Sequence, residues 1–131
     1  MKLIPLLLMW MLVGGPTVAY GESLKCPIGA TVKGERTPEG SEAWCEAVYE
    51  GKAVLHGPYR AWWPNGQLGT DGQYQYGKPV GVWKGWYADG KRQGEEGFAD
   101  GRRVRGRYWN ENGKPVANPP QQPNHSMQPA R

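Results

Sequence analysis

Two consecutive segments, GPYRAWWPNGQLGTDGQYQYGKPV (Gly57 to Val80) and GVWKGWYADGKRQGEEGFADGRRV (Gly81 to Val104), align at a period of 24 residues without a gap. Tyr59 falls on Trp83, Trp62 on Trp86, Trp63 on Tyr87, and Asn65-Gly66 on Asp89-Gly90. Further along, Tyr74 falls on Phe98, Gly77 on Gly101, Lys78 on Arg102 and Val80 on Val104. A unit this short cannot enclose a core of its own, so copies must stack and bury their apolar surface against one another. RGRYWNENGKPV (Arg105 to Val116) is a shortened third copy that keeps Tyr108, Trp109 and Asn112-Gly113. PEGSEAWCEAVYEGKAVLHG (Pro38 to Gly57) is a degenerate copy at the front, with a turn at Glu39-Gly40. Irregular end copies suit an array whose terminal units meet solvent on one side.

Each unit reads as a β-hairpin. Asn65-Gly66 and Asp89-Gly90 are expected as two-residue turns, because both positions tolerate positive φ and aromatic residues flank them. Gly77 and Gly101, each followed by Lys or Arg, suit a looser turn between hairpins. No helical period appears after the first segment, and the frequent glycines would each cost a helix about 1 kcal/mol. The expected fold is therefore all-β: an open, single-layer antiparallel meander of stacked hairpins, two strands per repeat. Strand alternation then puts Tyr59, Ala61 and Trp63 on one face and Arg60 and Trp62 on the other. Trp83, Gly85 and Tyr87 repeat the first set, Lys84 and Trp86 the second. Ala61, Gly85 and Gly72 leave room for the rings to lie flat on the sheet.

The flanks differ in kind. MKLIPLLLMWMLVGGPTVAYG has one positive charge at Lys2, an apolar run from Leu3 to Val13 and a Gly/Pro break before small residues. That is the layout of a secretory signal peptide over residues 1–21, cleaved after Gly21 or, as the alternative, after Ala19. In an exported chain the two cysteines, Cys26 and Cys45, are expected to pair, stapling a cap with the degenerate repeat over residues 22–56. The repeats occupy 57–116 (57–80, 81–104 and the partial 105–116), and the Pro- and Gln-rich tail 117–131 is expected to be disordered.

Charge and composition bound the function. Of 16 Lys and Arg against 12 Asp and Glu, cleavage removes Lys2 alone and leaves a net charge of +3. So mild an excess, on an exported chain, argues against nucleic acid as a partner. Glu95 and Glu96 are adjacent, so on a strand they face opposite sides and cannot act as a pair. His56 and His125 are the only histidines, too few for a metal cluster with these cysteines paired. No Gly-Lys-Ser/Thr phosphate loop occurs. The expectation is a non-enzymatic protein without metal or cofactor.

Two features remain as candidate contacts. If Tyr59, Trp63, Trp83 and Tyr87 make the packed face, Trp62 and Trp86 are left partly exposed, an apolar patch of the kind that proteins and sugars exploit. Arg102, Arg103, Arg105 and Arg107 form a basic cluster that would meet an anionic lipid, an acidic polysaccharide or an acidic protein surface. The bland reading of the same arginines is an edge charged against aggregation.

The motifs G-x-W-x-x-W-Y-x-[ND]-G-K and G-x-[YF]-x-x-G-[KR] resemble the MORN repeat in its variant form, which also occurs in a bacterial family labelled as antitoxins. The resemblance covers Gly57 to Val116 and extends in weakened form over Pro38 to His56. It implies stacked hairpins in an elongated single-layer sheet, a role in protein–protein scaffolding or phospholipid contact, and no catalytic residues. Two departures matter. A signal peptide argues against a cytoplasmic antitoxin, and the Cys26 to Cys45 segment lies outside the repeat pattern. A second likeness, to aromatic–glycine cell-wall-binding repeats, fits the period less well. The function expected is a protein-interaction or scaffold module in the cell envelope, secreted or periplasmic, whose partner the sequence does not name. The alternative is binding of anionic lipid or polysaccharide.

Overall fold

The computed structural model describes residues 24–120 of the chain, so the leader reading and the tail beyond Pro120 lie outside the described residues. Eight strands follow one another: β1 (Ala30–Thr37), β2 (Gly40–Tyr49), β3 (Lys52–Trp62), β4 (Leu68–Gln75), β5 (Lys78–Trp86), β6 (Arg92–Ala99), β7 (Arg102–Trp109) and β8 (Pro115–Val116). Their order in the single sheet is their order in sequence, and every neighbour is antiparallel. The fold is thus an open all-β meander, with no helix among the described residues.

The turns exchange the roles expected of them. The tight two-residue turns are Glu50-Gly51, Tyr76-Gly77 and Asp100-Gly101, where both residues have positive φ (49° and 77°, 45° and 84°, 51° and 82°). That is the type I′ geometry, whose twist matches the flanking strands. At the opposite side, the Asn65-Gly66 and Asp89-Gly90 steps belong to three-residue loops. Trp63 N–H donates to Gln67 O and Gly66 N–H to Trp63 O, and the same pair of bonds recurs at Tyr87/Lys91/Gly90 and Asn110/Lys114/Gly113. Only the glycine of each loop has positive φ. The Asn and Asp side chains instead accept a backbone N–H two residues on, Gln67 to Asn65 and Lys91 to Asp89. At the front, the β1–β2 turn is Pro38-Glu39, with Gly40 already paired to Thr37.

Register assigns the faces. Trp44 pairs with Tyr59, Tyr59 with Gly72, Trp83 with Glu96 and Gly81 with Phe98, which puts Trp44, Tyr59, Trp83 and Phe98 on one side. There Trp83 meets Tyr59, Tyr74 and Phe98 at centroid distances of 5.6, 5.0 and 6.1 Å, the last two edge-on. These are favourable arrangements for ring quadrupoles. Trp83 is 1% exposed, the most deeply buried large side chain described. It reaches that burial in an open sheet because β4 offers Gly72 beneath it. The expected split of Tyr59 and Trp83 from Trp62 and Trp86 holds.

Neighbouring repeats are also tied by side chains reaching one period ahead. Trp63 Nε1 donates to Trp86 O (2.9 Å), and its counterpart Tyr87 donates through its hydroxyl to Trp109 O (2.7 Å). At the N-terminal end Cys26 and Cys45 form the expected disulfide. Cys45 lies opposite an irregularity in β3, where Gly57 (φ 115°) lets Pro27 and Cys45 approach. A Cβ at Gly57 would stand 2.6 Å from Pro27 Cδ.

Candidate interaction surface

The face opposite the ring cluster carries a row of charges that the repeat itself generates. Arg60 pairs with Asp71, Asp71 with Lys84, Lys84 with Glu95, and Glu95 with Arg107. The five residues cross β3 to β7 at adjacent register positions and alternate in sign. Arg60 and Asp71 close to 3.1 Å. Opposite charges facing each other across antiparallel strands stabilise by a few tenths of a kcal/mol to about 1 kcal/mol per pair, and like charges oppose folding. The row was visible in the sequence, since Arg60/Lys84 and Asp71/Glu95 each recur at the 24-residue period. Alternating sign between the two pairs was the signal.

Three tryptophans lie at the loop end of the same face, and each meets a different neighbour. Trp62, partly buried, packs against the cap's small core of Leu24, Ala43 and Cys45. Trp109 lies beneath two guanidiniums, Arg92 at 5.5 Å and Arg107 at 5.7 Å from its ring centroid. Trp86, half-buried, has neither the cap nor a guanidinium over it among the described residues. Both rings stay partly exposed, as expected, but their settings differ: Trp62 packs against the cap and Trp86 does not. A shallow groove of about 350 Å³ is lined by Pro58, Arg60, Asp71, Val80 and Val82 rather than by Trp86.

The four arginines do not form one cluster. A bulge at Val104 interrupts the β6–β7 register, so Arg103 pairs with Phe98 and Arg105 with Gly97. Arg103 thereby joins the ring face, while Arg105 and Arg107 join the charged face. Arg102, Arg105 and Arg107 are exposed, and the Arg105 side chain lies across Gly97, where a Cβ would meet its Nε at 2.6 Å.

On the ring face Arg103 contributes to a polar group absent from the sequence reading. Its guanidinium donates to Glu96 Oε1 (3.1 Å) and Tyr108 Oη (3.0 Å), and Tyr108 donates its hydroxyl to the same Glu96 oxygen. Glu96 is buried beside Trp83. Burial, then the bond to Glu96 and its charge, pushes the Tyr108 phenol up to about 12. Burial also holds the Tyr59 phenol well above its usual range, helped by the charge of Glu42 and a hydrogen bond to it. β7 presents Gly106 opposite Glu96, and the Tyr108 hydroxyl takes the space a Cβ there would need, 2.4 Å away.

Glu95 and Glu96 face opposite sides, as expected, and no three His, Cys, Asp or Glu side chains converge on a common point among the described residues. Compared with protein-family models, curated proteins and solved structures, the chain matches none.

Proposed function

We propose that this chain is an exported, non-enzymatic repeat protein of MORN-like type, acting as a protein-interaction or scaffold module in the cell envelope. The observation that carries the reading is the division of labour between the faces. The sheet spends one face on its ring cluster and leaves the other as a regular surface of alternating charge with Trp86 at its margin. Such a surface is suited to shape- and charge-complementary recognition rather than to chemistry, for which its carboxylates are wrongly placed. The Cys26–Cys45 disulfide is consistent with an oxidising compartment outside the cytoplasm. The leader-like first 21 residues agree with that destination.

The test is a photo-crosslinking residue in place of Trp86 in the producing cell, with N-terminal sequencing of the product. Capture of one envelope protein, by a chain beginning at Glu22 or Tyr20, supports the reading. An uncleaved cytoplasmic chain, or a free chain with enzymatic turnover, overturns it. A second reading, binding of anionic lipid or polysaccharide, is favoured by Arg105 and Arg107 sharing a face with Trp86 and Trp109. It requires sedimentation with such material that falls steeply with salt.

A further inference from the structure

Among the described residues the third repeat has no full-length return strand. In the first two repeats the three-residue loops lead into β4 and β6, each of 8 residues, whereas β8 has 2. It pairs with Tyr108 and Trp109 alone. From Arg102 to Arg107 the outer side of β7 pairs with no strand among the described residues. Backbone N–H and C=O groups on such an edge are a template for another strand. The chain's continuation is ill-suited to supply one. Pro119 and Pro120 have no N–H to donate, and Ala117 to Arg131 contains neither Asp nor Glu.

We propose that the outer edge of β7, from Arg102 to Arg107, binds an extended acidic segment of a partner protein as an added strand in the place of the missing return strand. The site rests on the protein-interaction reading above and names the partner's chemistry.

The charge row specifies that chemistry. It runs from Arg60 through Asp71, Lys84 and Glu95 to Arg107, and ends on a positive charge. In both complete repeats the residue across from the cation, on the return strand, is acidic: Asp71 for Arg60 and Glu95 for Lys84. The next register position beyond Arg107 therefore calls for Asp or Glu. Trp109 holds the Arg107 guanidinium over its ring, and Arg105 is on the same face. Arg102, Arg103, Arg105 and Arg107 are all exposed along this one strand.

A second copy of the chain fits poorly. Pairing β7 with β7 would set arginines against arginines. The other open edge, β1, offers Gly34 at the row's register position and Arg36 on the same face, with no carboxylate there. An anionic lipid or glycan would meet the guanidiniums but leave the edge amides without partners. An extended peptide satisfies both, its amides giving affinity and its alternate side chains specificity.

The experiment uses the leaderless chain with its disulfide intact. The probe is a fluorescein-labelled ten-residue peptide alternating Glu with Val and Thr. Three comparison peptides carry Lys for Glu, Pro at alternate positions, or N-methyl groups on alternate amides with every Glu kept. The expected result is saturable anisotropy with slowed amide exchange over Arg102 to Arg107. Arg105→Gln with Arg107→Gln should weaken binding roughly tenfold, and raised salt should weaken it further. All three comparison peptides should bind at least roughly tenfold less tightly, a loss of about 1.4 kcal/mol. Equal binding of the N-methylated peptide would overturn the proposal in favour of a plain anion surface, as would equal competition by anionic vesicles or heparin. No binding of the Glu peptide, or unchanged exchange along β7, would also overturn it. A protein captured at Trp86 whose capture survives the double arginine substitution would leave the scaffold reading standing without this edge.

Discussion

The indole of Trp83 lies flat over Gly72 of the neighbouring strand, so close that a Cβ there would stand 2.1 Å from Trp83 Cδ2 and 2.4 Å from Cε2. The absence of a side chain at Gly72 is what lets an open sheet bury a tryptophan. Gly72→Ala is expected to destabilise by about 3 kcal/mol or more through overpacking, and Trp83→Ala by about 3–5 kcal/mol. The two are coupled: in a Trp83→Ala background, Gly72→Ala should cost under about 1 kcal/mol. Urea unfolding of the four proteins measures the cycle. Additive losses would mean that the ring and the glycine do not act on each other.

Cys26 and Cys45, 19 residues apart, tie the segment before β1 to β2. In the chain-entropy view a loop of this size stabilises by about 3 kcal/mol, a large share of what a domain so small possesses. Because Cys45 and Leu24 form the patch against which Trp62 packs, reduction should also loosen Trp62. The native chain should take up no alkylating group before reduction and two after it. The reduced form should melt at lower temperature with a shift in tryptophan emission. Uptake of two groups without reduction would remove the staple.

Much of this architecture was legible in the sequence, and the parts that were not have a common cause. The repeat, the hairpins and the face of each ring follow from local pattern, because a period of two along a strand and a glycine at a turn act within a few residues. The turn types were exchanged because Tyr76 does not look like a positive-φ residue. It adopts φ 45° where its ring stacks on His56 at 4.1 Å and its N–H donates to His56 Nδ1. Those contacts come from 20 residues away and offset the local strain. Likewise the bulge at Val104 divides the arginines, and the cap covers Trp62 but not its counterpart Trp86. Both depend on what a neighbouring strand does, which no local pattern records.

Lys84 sits between Asp71 and Glu95 on adjacent strands, the middle of the charge row. Lys84→Gln should cost a few tenths of a kcal/mol, and Lys84→Glu, which sets three carboxylates side by side, about 1 kcal/mol more. The gap between the two variants should narrow on raising sodium chloride to about 0.5 M, since the charges are at the surface and screened. Thermal unfolding at low and high salt reads it directly. A gap that ignores salt would show that the substitution acts through packing and not through the row.

Alkaline pH should unfold this protein through its phenols. Burial, then the charge of Glu42 and a bond to it, raises Tyr59, and burial followed by Glu96 raises Tyr108 to about 12. Burial, followed by the charges of Glu111 and Asp89, raises Tyr87 as well. An unfolded tyrosine ionises near about 10. The folded chain thus holds these protons more tightly than the unfolded chain does. The stability this provides is complete below pH of about 10 and is lost as pH climbs toward the folded values. Absorbance at 295 nm should therefore rise in two stages, the later one coinciding with loss of the β-sheet circular dichroism signal. Tyr108→Phe should destabilise the protein at neutral pH by about 1–3 kcal/mol, since Glu96 loses a buried donor, while removing one phenol from the later stage. A single stage near pH of about 10 with the fold intact would show that Tyr59 and Tyr108 are open to hydroxide, contrary to the packing that Gly72 and Glu96 impose around Trp83.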